Sequence, residues 1–133
     1  MYTGNVRLQM PQTGDTAVDD EEKSFREIYD CFNARDVERV LAVMHEDVEW
    51  ANGMEGGHVH GRAEVREYWT RQWRMVSPHV DPVAFSRGPK GETIIEVHQV
   101  VHDNSGHLLV DRMVGHIFRL EHGLIRRFDI RED

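Results

Sequence analysis

The strongest constraint on the fold lies in the last third of the chain. From Glu92 onward, β-branched and apolar residues alternate with polar ones through "ETIIEVHQVVHD", "HLLVDRMVGHIFRLEHG" and "LIRRFDIRED". Turn-forming groups punctuate these runs at Pro89-Lys90-Gly91, Asp103-Asn104-Ser105-Gly106 and Glu121-His122-Gly123. Alternation with a period of two, broken by such turns, predicts a meander of antiparallel strands. Residues 79–87 add one more strand, and Pro82 assigns it to a sheet edge or a bulge. A sheet of this kind has one apolar face that other elements must cover.

The first half of the chain supplies the cover. Phe25, Ile28, Tyr29 and Phe32 recur at helical spacing behind the acidic run Asp19–Glu22, which suits a first helical turn. Asp36 is placed to cap a second helix carrying Val37, Val40, Leu41 and Met44 on one face. "EDVEWANG" reads as a short strand ending in a turn. A third helix opens near Gly61 with Val65, Tyr68, Trp69, Trp73 and Val76 on one stripe, and Ser77-Pro78 closes it. Residues 1–18 lack periodicity and read as a flexible arm ahead of a single domain spanning residues 19–133. The expected class is α+β: a curved sheet wrapped around three N-terminal helices. The hollow left between sheet and helices is a natural small-molecule site.

Composition narrows the partners. The 133 residues carry a formal charge of −8, with 16 basic against 24 acidic side chains, which argues against a nucleic-acid-binding face. The chain has no apolar run of membrane-span length and no basic start followed by an apolar stretch. The single cysteine, Cys31, forms no internal disulfide. A cytoplasmic protein is the expectation.

The segment "YDCFNARDVERVLAVMHEDVEW", Tyr29 to Trp50, resembles the opening of the nuclear transport factor 2-like superfamily, and most of all its SnoaL-like (polyketide cyclase-like) members. "HGRAEVREYW", from His60, resembles the family's Gly-Arg pair opening the third helix. "GHIFRLEHGLIRRF", from Gly115, resembles its last hairpin. The resemblance covers residues 22–131. It implies a cone-shaped half-barrel and a homodimer formed through the outer sheet face. Relatives include cyclases, isomerases, dehydratases, epoxide hydrolases and non-catalytic modules, so the fold leaves the reaction open. One departure matters. The acid that such cyclases carry in the last strand would fall at Ile130 here, and Asp129 lies on the opposite face.

Candidate site residues follow from alternation. Arg112, Val114, His116 and Phe118 share one face of the long strand, and the resemblance turns that face inward. The partner strand has two possible registers. One sets Ile94, Glu96, His98 and Val100 against the hollow, making a polar pocket; the other sets Ile95, Val97, Gln99 and Val101 there, making an apolar one. We take the first, which makes His116, His98 and Glu96 the catalytic candidates. Tyr29, Trp50, Trp69, Trp73, Arg112 and Phe128 are then substrate-binding walls. The chemistry expected is acid/base work without a cofactor on an apolar or aromatic ligand. An imidazole would remove a proton next to a carbonyl, with Arg112 or Tyr29 steadying the oxyanion. A non-catalytic binding module is the rival reading.

"HVHGRAE" carries His58, His60 and Glu64 with H-x-H-x-x-x-E spacing, which is also found in metal sites. A metalloenzyme using His58 and His60, with His98 or His116 as a third ligand, is the minor alternative. The expected reading has no metal. His58 and His60 lie in a glycine loop at the pocket mouth, where they touch substrate, and Glu64 serves the start of the third helix.

Overall fold

The computed structural model describes residues 14–132. Its elements run α1 (Gly14–Asn33), α2 (Val37–Leu41), β1 (Met44–Ala51), β2 (His58–His60), α3 (Gly61–Met75), β3 (Val76–Arg87), β4 (Thr93–Asp103), β5 (Leu108–Glu121) and β6 (Leu124–Glu132). The six strands form one open sheet ordered β2-β1-β6-β5-β4-β3. The sheet is mixed: β1 runs parallel to β6, and the other neighbours pair antiparallel.

Several boundaries differ from expectation. Helix α1 begins at Gly14, so residues 14–18 are helical rather than part of an arm; the rest of the expected arm lies outside the described residues. The acidic run is therefore inside the helix instead of in its first turn. That lets Glu21 turn inward, where its Oε1 accepts hydrogen bonds from Arg87 and from the Thr93 hydroxyl, both at 2.8 Å. Helix α2 is capped by Asp36 as expected but stops at Leu41, and Met44 opens β1 instead. The third helix ends at Met75, and Val76 through Pro78 already belong to β3. That strand lies at the sheet edge and has a register shift between Pro82 and Ala84, so both readings of Pro82 hold. His58–His60 form a short strand paired with Glu49–Ala51, not a loop.

Three polar clamps fix the helices to the sheet. The Asn33 amide donates to Val80 O at 2.8 Å, and its carbonyl accepts from Val80 N at 3.0 Å, tying the end of α1 to β3. Arg35 turns the chain with a positive φ of 63° and donates to Pro78 O. Arg62, at the start of α3, donates through Nε and a terminal nitrogen to Met44 O at 2.9 and 2.7 Å. The Glu64 carboxylate accepts from His60 N at 2.8 Å, which satisfies a donor left open at the helix start.

The core gathers at one end of the cone. Phe25, Met44, Val48, Val65, Ile95, Val97 and Ile125 are fully buried there. Each such side chain contributes about 1.5–3 kcal/mol through removal of apolar surface from water.

Candidate functional site

A cavity of about 250 Å³ opens between the sheet and the helices. Its position follows from the register of β4 against β5. Ile95 pairs with His116, Val97 with Val114, Gln99 with Arg112 and Val101 with Val110. The odd-numbered residues of β4 therefore share the inner face with His116. The register taken from the sequence is one residue out, and that slip sends Glu96 and His98 to the outer face. His98 Nε2 sits 2.7 Å from Asp111 Oδ1 there, half exposed. Glu96 is ion-paired with Arg131 across Gly115, where a side chain would crowd the Arg131 guanidinium. Neither residue lines the cavity.

The aromatic walls come from five elements. Tyr29 and Phe32 enter from α1, Trp50 from β1, Tyr68 and Trp69 from α3, Phe118 from β5 and Phe128 from β6. Trp50 stacks on Phe128 with centroids 4.2 Å apart and meets Trp69 edge-on at 5.3 Å. Trp73 is not a wall. It packs behind Phe32 and Trp69, with the Arg35 guanidinium over its ring. Tyr68 accepts from Gly53 N at 3.0 Å, which holds the β1–β2 loop against the cavity.

His116 is the imidazole on this wall. The ring is 8% exposed, edge-on to Phe128 at 4.8 Å. Its Nδ1 lies 2.7 Å from the Tyr29 hydroxyl. Nε2 has no hydrogen-bond partner among the described residues, and the residue lines the cavity. Burial pushes the imidazole pKa down to about 3, so the ring is neutral at working pH. Burial also raises the Tyr29 hydroxyl well above its ordinary value, so it stays protonated.

Toward the open end the lining turns polar. Arg112 donates through Nε to Gln99 Oε1 at 3.0 Å, and a terminal nitrogen lies 3.5 Å from the exposed Glu132 carboxylate. Four residue steps along an extended strand set the Arg112 and His116 backbones about 13 Å apart. Arg112 therefore enters the cavity wall well along the strand from His116, on the side of Gln99 and Glu132. Sequence reasoning missed Gln99, because the register was wrong, and Tyr68, which it read as helix core. Ile130 pairs with His116 and lines the cavity, so the last strand presents an apolar side chain where the family resemblance looked for an acid.

His58 and His60 do not line this cavity. His58 Nε2 lies 2.8 Å from Asp129 Oδ1, beside Arg127 on the outer face of the sheet. His60 is exposed, 3.8 Å from Glu49. Burial works against the Asp129 charge, but hydrogen bonds from Arg127 and His58 outweigh it and hold that carboxyl below the usual range. Glu64 is occupied at the helix start, so the three side chains of the motif do not converge. Among the described residues, no group of three or more His, Cys, Asp or Glu side chains is arranged to hold a metal ion.

An open mixed sheet curved around three helices, with an aromatic cavity between them, is the architecture of the nuclear transport factor 2-like proteins. Residues 25–128 match the SnoaL-like domain, and the chain belongs to that family. It is similar to a nuclear transport factor 2-like protein of unknown function from Burkholderia pseudomallei, at 25% identity and a TM-score of 0.73, covering 84% of this chain and 89% of that one. It is similar in fold to TerC, co-crystallised with polyporic acid, at 24% identity and a TM-score of 0.70, covering 80% and 85% of the two chains. It also shares the fold of SalBIII, an epoxide hydrolase/cyclase-like enzyme with a role in pyran ring formation in polyether salinomycin. That match has 18% identity and a TM-score of 0.70, with 84% and 89% covered. No curated protein matches the chain. No helix among the described residues is long and apolar enough to cross a membrane.

Proposed function

We propose that the protein binds a mostly apolar, ring-containing compound in this cavity and acts on it by cofactor-free acid/base chemistry centred on His116. Isomerisation, cyclisation, dehydration and hydrolysis all lie within that range. The observation that carries the reading is one neutral imidazole, anchored at Nδ1 by Tyr29, with Nε2 unpartnered on an aromatic wall. Flat aromatic walls suit a ring ligand, which stacks without ordering many torsions. Relatives of the same fold are named for ring-forming and epoxide-opening work, which supports a substrate carrying a reactive oxygen.

The test is a turnover screen with ring-bearing ketones and epoxides, run on the wild type and on His116→Ala. Loss of a positioned acid or base costs about 10²–10⁴-fold in rate. The expected outcome is such a loss while ligands still quench the fluorescence of Trp50 and Trp69. Unchanged turnover would remove His116 from the mechanism.

A specific observation favours the second reading, a ligand-binding module without turnover: Ile130 stands beside His116 where a carboxylate would complete the pair. Tight binding with no product from any quenching ligand would establish it. In either case we expect a homodimer formed through the outer face of β5 and β6, where Arg127, Asp129 and Arg131 project opposite the cavity side. Sedimentation of a monomer at micromolar concentration would overturn that expectation.

A further inference from the structure

We infer that the cavity is built for an elongated ligand with a neutral oxygen acceptor at its inner end and an acidic group at its outer end. His116 Nε2–H meets the first and Arg112 meets the second. This rests on the proposed small-molecule reading of the cavity and names the chemistry of what enters it.

The inner end follows from the Tyr29–His116 pair. Two arrangements of protons fit a 2.7 Å contact between the hydroxyl and Nδ1. In one, the hydroxyl donates to Nδ1 and the imidazole proton sits on Nε2. In the other, Nδ1–H donates to the phenol oxygen, and the hydroxyl hydrogen must find another acceptor. Tyr29 is 4% exposed, and its hydroxyl has no other partner among the described residues. A buried donor left unmade costs about 1–3 kcal/mol. A phenol is also the stronger donor and an imidazole nitrogen the stronger acceptor, so the first arrangement prevails. It leaves Nε2–H as the donor on the inner cavity wall. The side chains beside the ring there are Phe118, Phe128 and Ile130, none of which offers that hydrogen an acceptor. A ligand oxygen of the carbonyl, epoxide or ether kind fits that donor.

The outer end follows from Arg112. Gln99 Oε1 accepts from Arg112 Nε and so orients the guanidinium. Glu132 faces a terminal nitrogen at 3.5 Å and is two-thirds exposed, a loose pairing of small worth. A ligand carboxylate approaching through the mouth can take the fork in bidentate fashion and displace Glu132 to solvent. The strand sets the two ends about 13 Å apart, measured along its residues. Between them the walls are apolar.

Binding of a matched set of probes tests this. The parent is a biphenyl with an acetyl group at one end and a carboxylate at the other. One analogue has the carboxylate as its methyl ester, and a second has ethyl in place of acetyl. The parent is expected to bind at least about tenfold more tightly than either analogue, the cost of one lost directed contact. Arg112→Gln should erase the preference for acid over ester and keep that for acetyl over ethyl. His116→Phe should do the reverse. An ester that binds as well as the acid overturns the outer contact, and an ethyl analogue that binds as well overturns the inner one. If no probe binds, the cavity reading itself falls and this inference with it. Heteronuclear NMR of the imidazole nitrogens in the free protein tests the inner end without any ligand. A proton on Nε2 and none on Nδ1 is expected, with the tautomer released in Tyr29→Phe; a proton on Nδ1 would overturn the donor role.

Discussion

His116 couples the site to stability. Its pKa is about 3 when folded, against about 6.5 for an exposed imidazole. Between those values the unfolded chain takes up a proton that the folded one refuses, so stability falls as pH falls. The slope is about 1.4 kcal/mol per pH unit below about 6.5. Urea unfolding at pH 7 and pH 5 should show the wild type losing about 2 kcal/mol more than His116→Gln across that interval. Equal losses would mean that the ring is not held neutral by burial.

Element contacts make two further claims testable. Glu21 joins α1 to the β3–β4 hairpin through Arg87 and Thr93 and is almost fully buried. Replacing it with Ala leaves the Thr93 hydroxyl and one terminal nitrogen of Arg87 without their acceptor. A loss of about 2 kcal/mol is expected in chemical denaturation. The β4–β5 register makes the opposite kind of claim for Glu96 and His98. Because both project from the outer face, Glu96→Gln and His98→Ala should leave ligand affinity and any turnover unchanged. A tenfold loss of affinity in either would argue for the polar pocket that the structure replaces with Gln99 and Val101.

At the scale of the whole molecule, one cone has a packed end and an open end. Val97 and Val101 are both on the inner face of β4, yet Val97 is fully buried while Val101 lines the cavity and is half-buried. Removing two methyl groups at Val97 should cost about 2 kcal/mol, and the same change at Val101 well under 1 kcal/mol. Thermal melts of the two alanine variants compare them directly, and similar shifts would contradict a packed end and an open end. The open end is where binding, rather than stability, constrains the side chains.

Local chemistry determined much of this protein. Helical spacing at Phe25–Phe32 and Val65–Trp73, the Asp36 cap, the glycine turns and the period-two runs each express a preference readable within a few residues. Together they imply three helices on one face of an antiparallel meander, and hence a hollow. The inward course of His116 followed from alternation along a single strand. Only tertiary structure decided what stands beside it. A strand's two faces exchange on a one-residue slip, and the turn at Asn104–Ser105 accommodates a register shift between Val101 and His102 that no turn signal announces. That slip moved Glu96 and His98 outside and brought Gln99 in. The pairing of β2 with β1 likewise carried His58 to Asp129 on the outer face, because pairing partners are set by long-range packing and not by the glycines around them. Tyr29 meets His116 across 87 positions of sequence, a contact that exists only once α1 lies on the sheet.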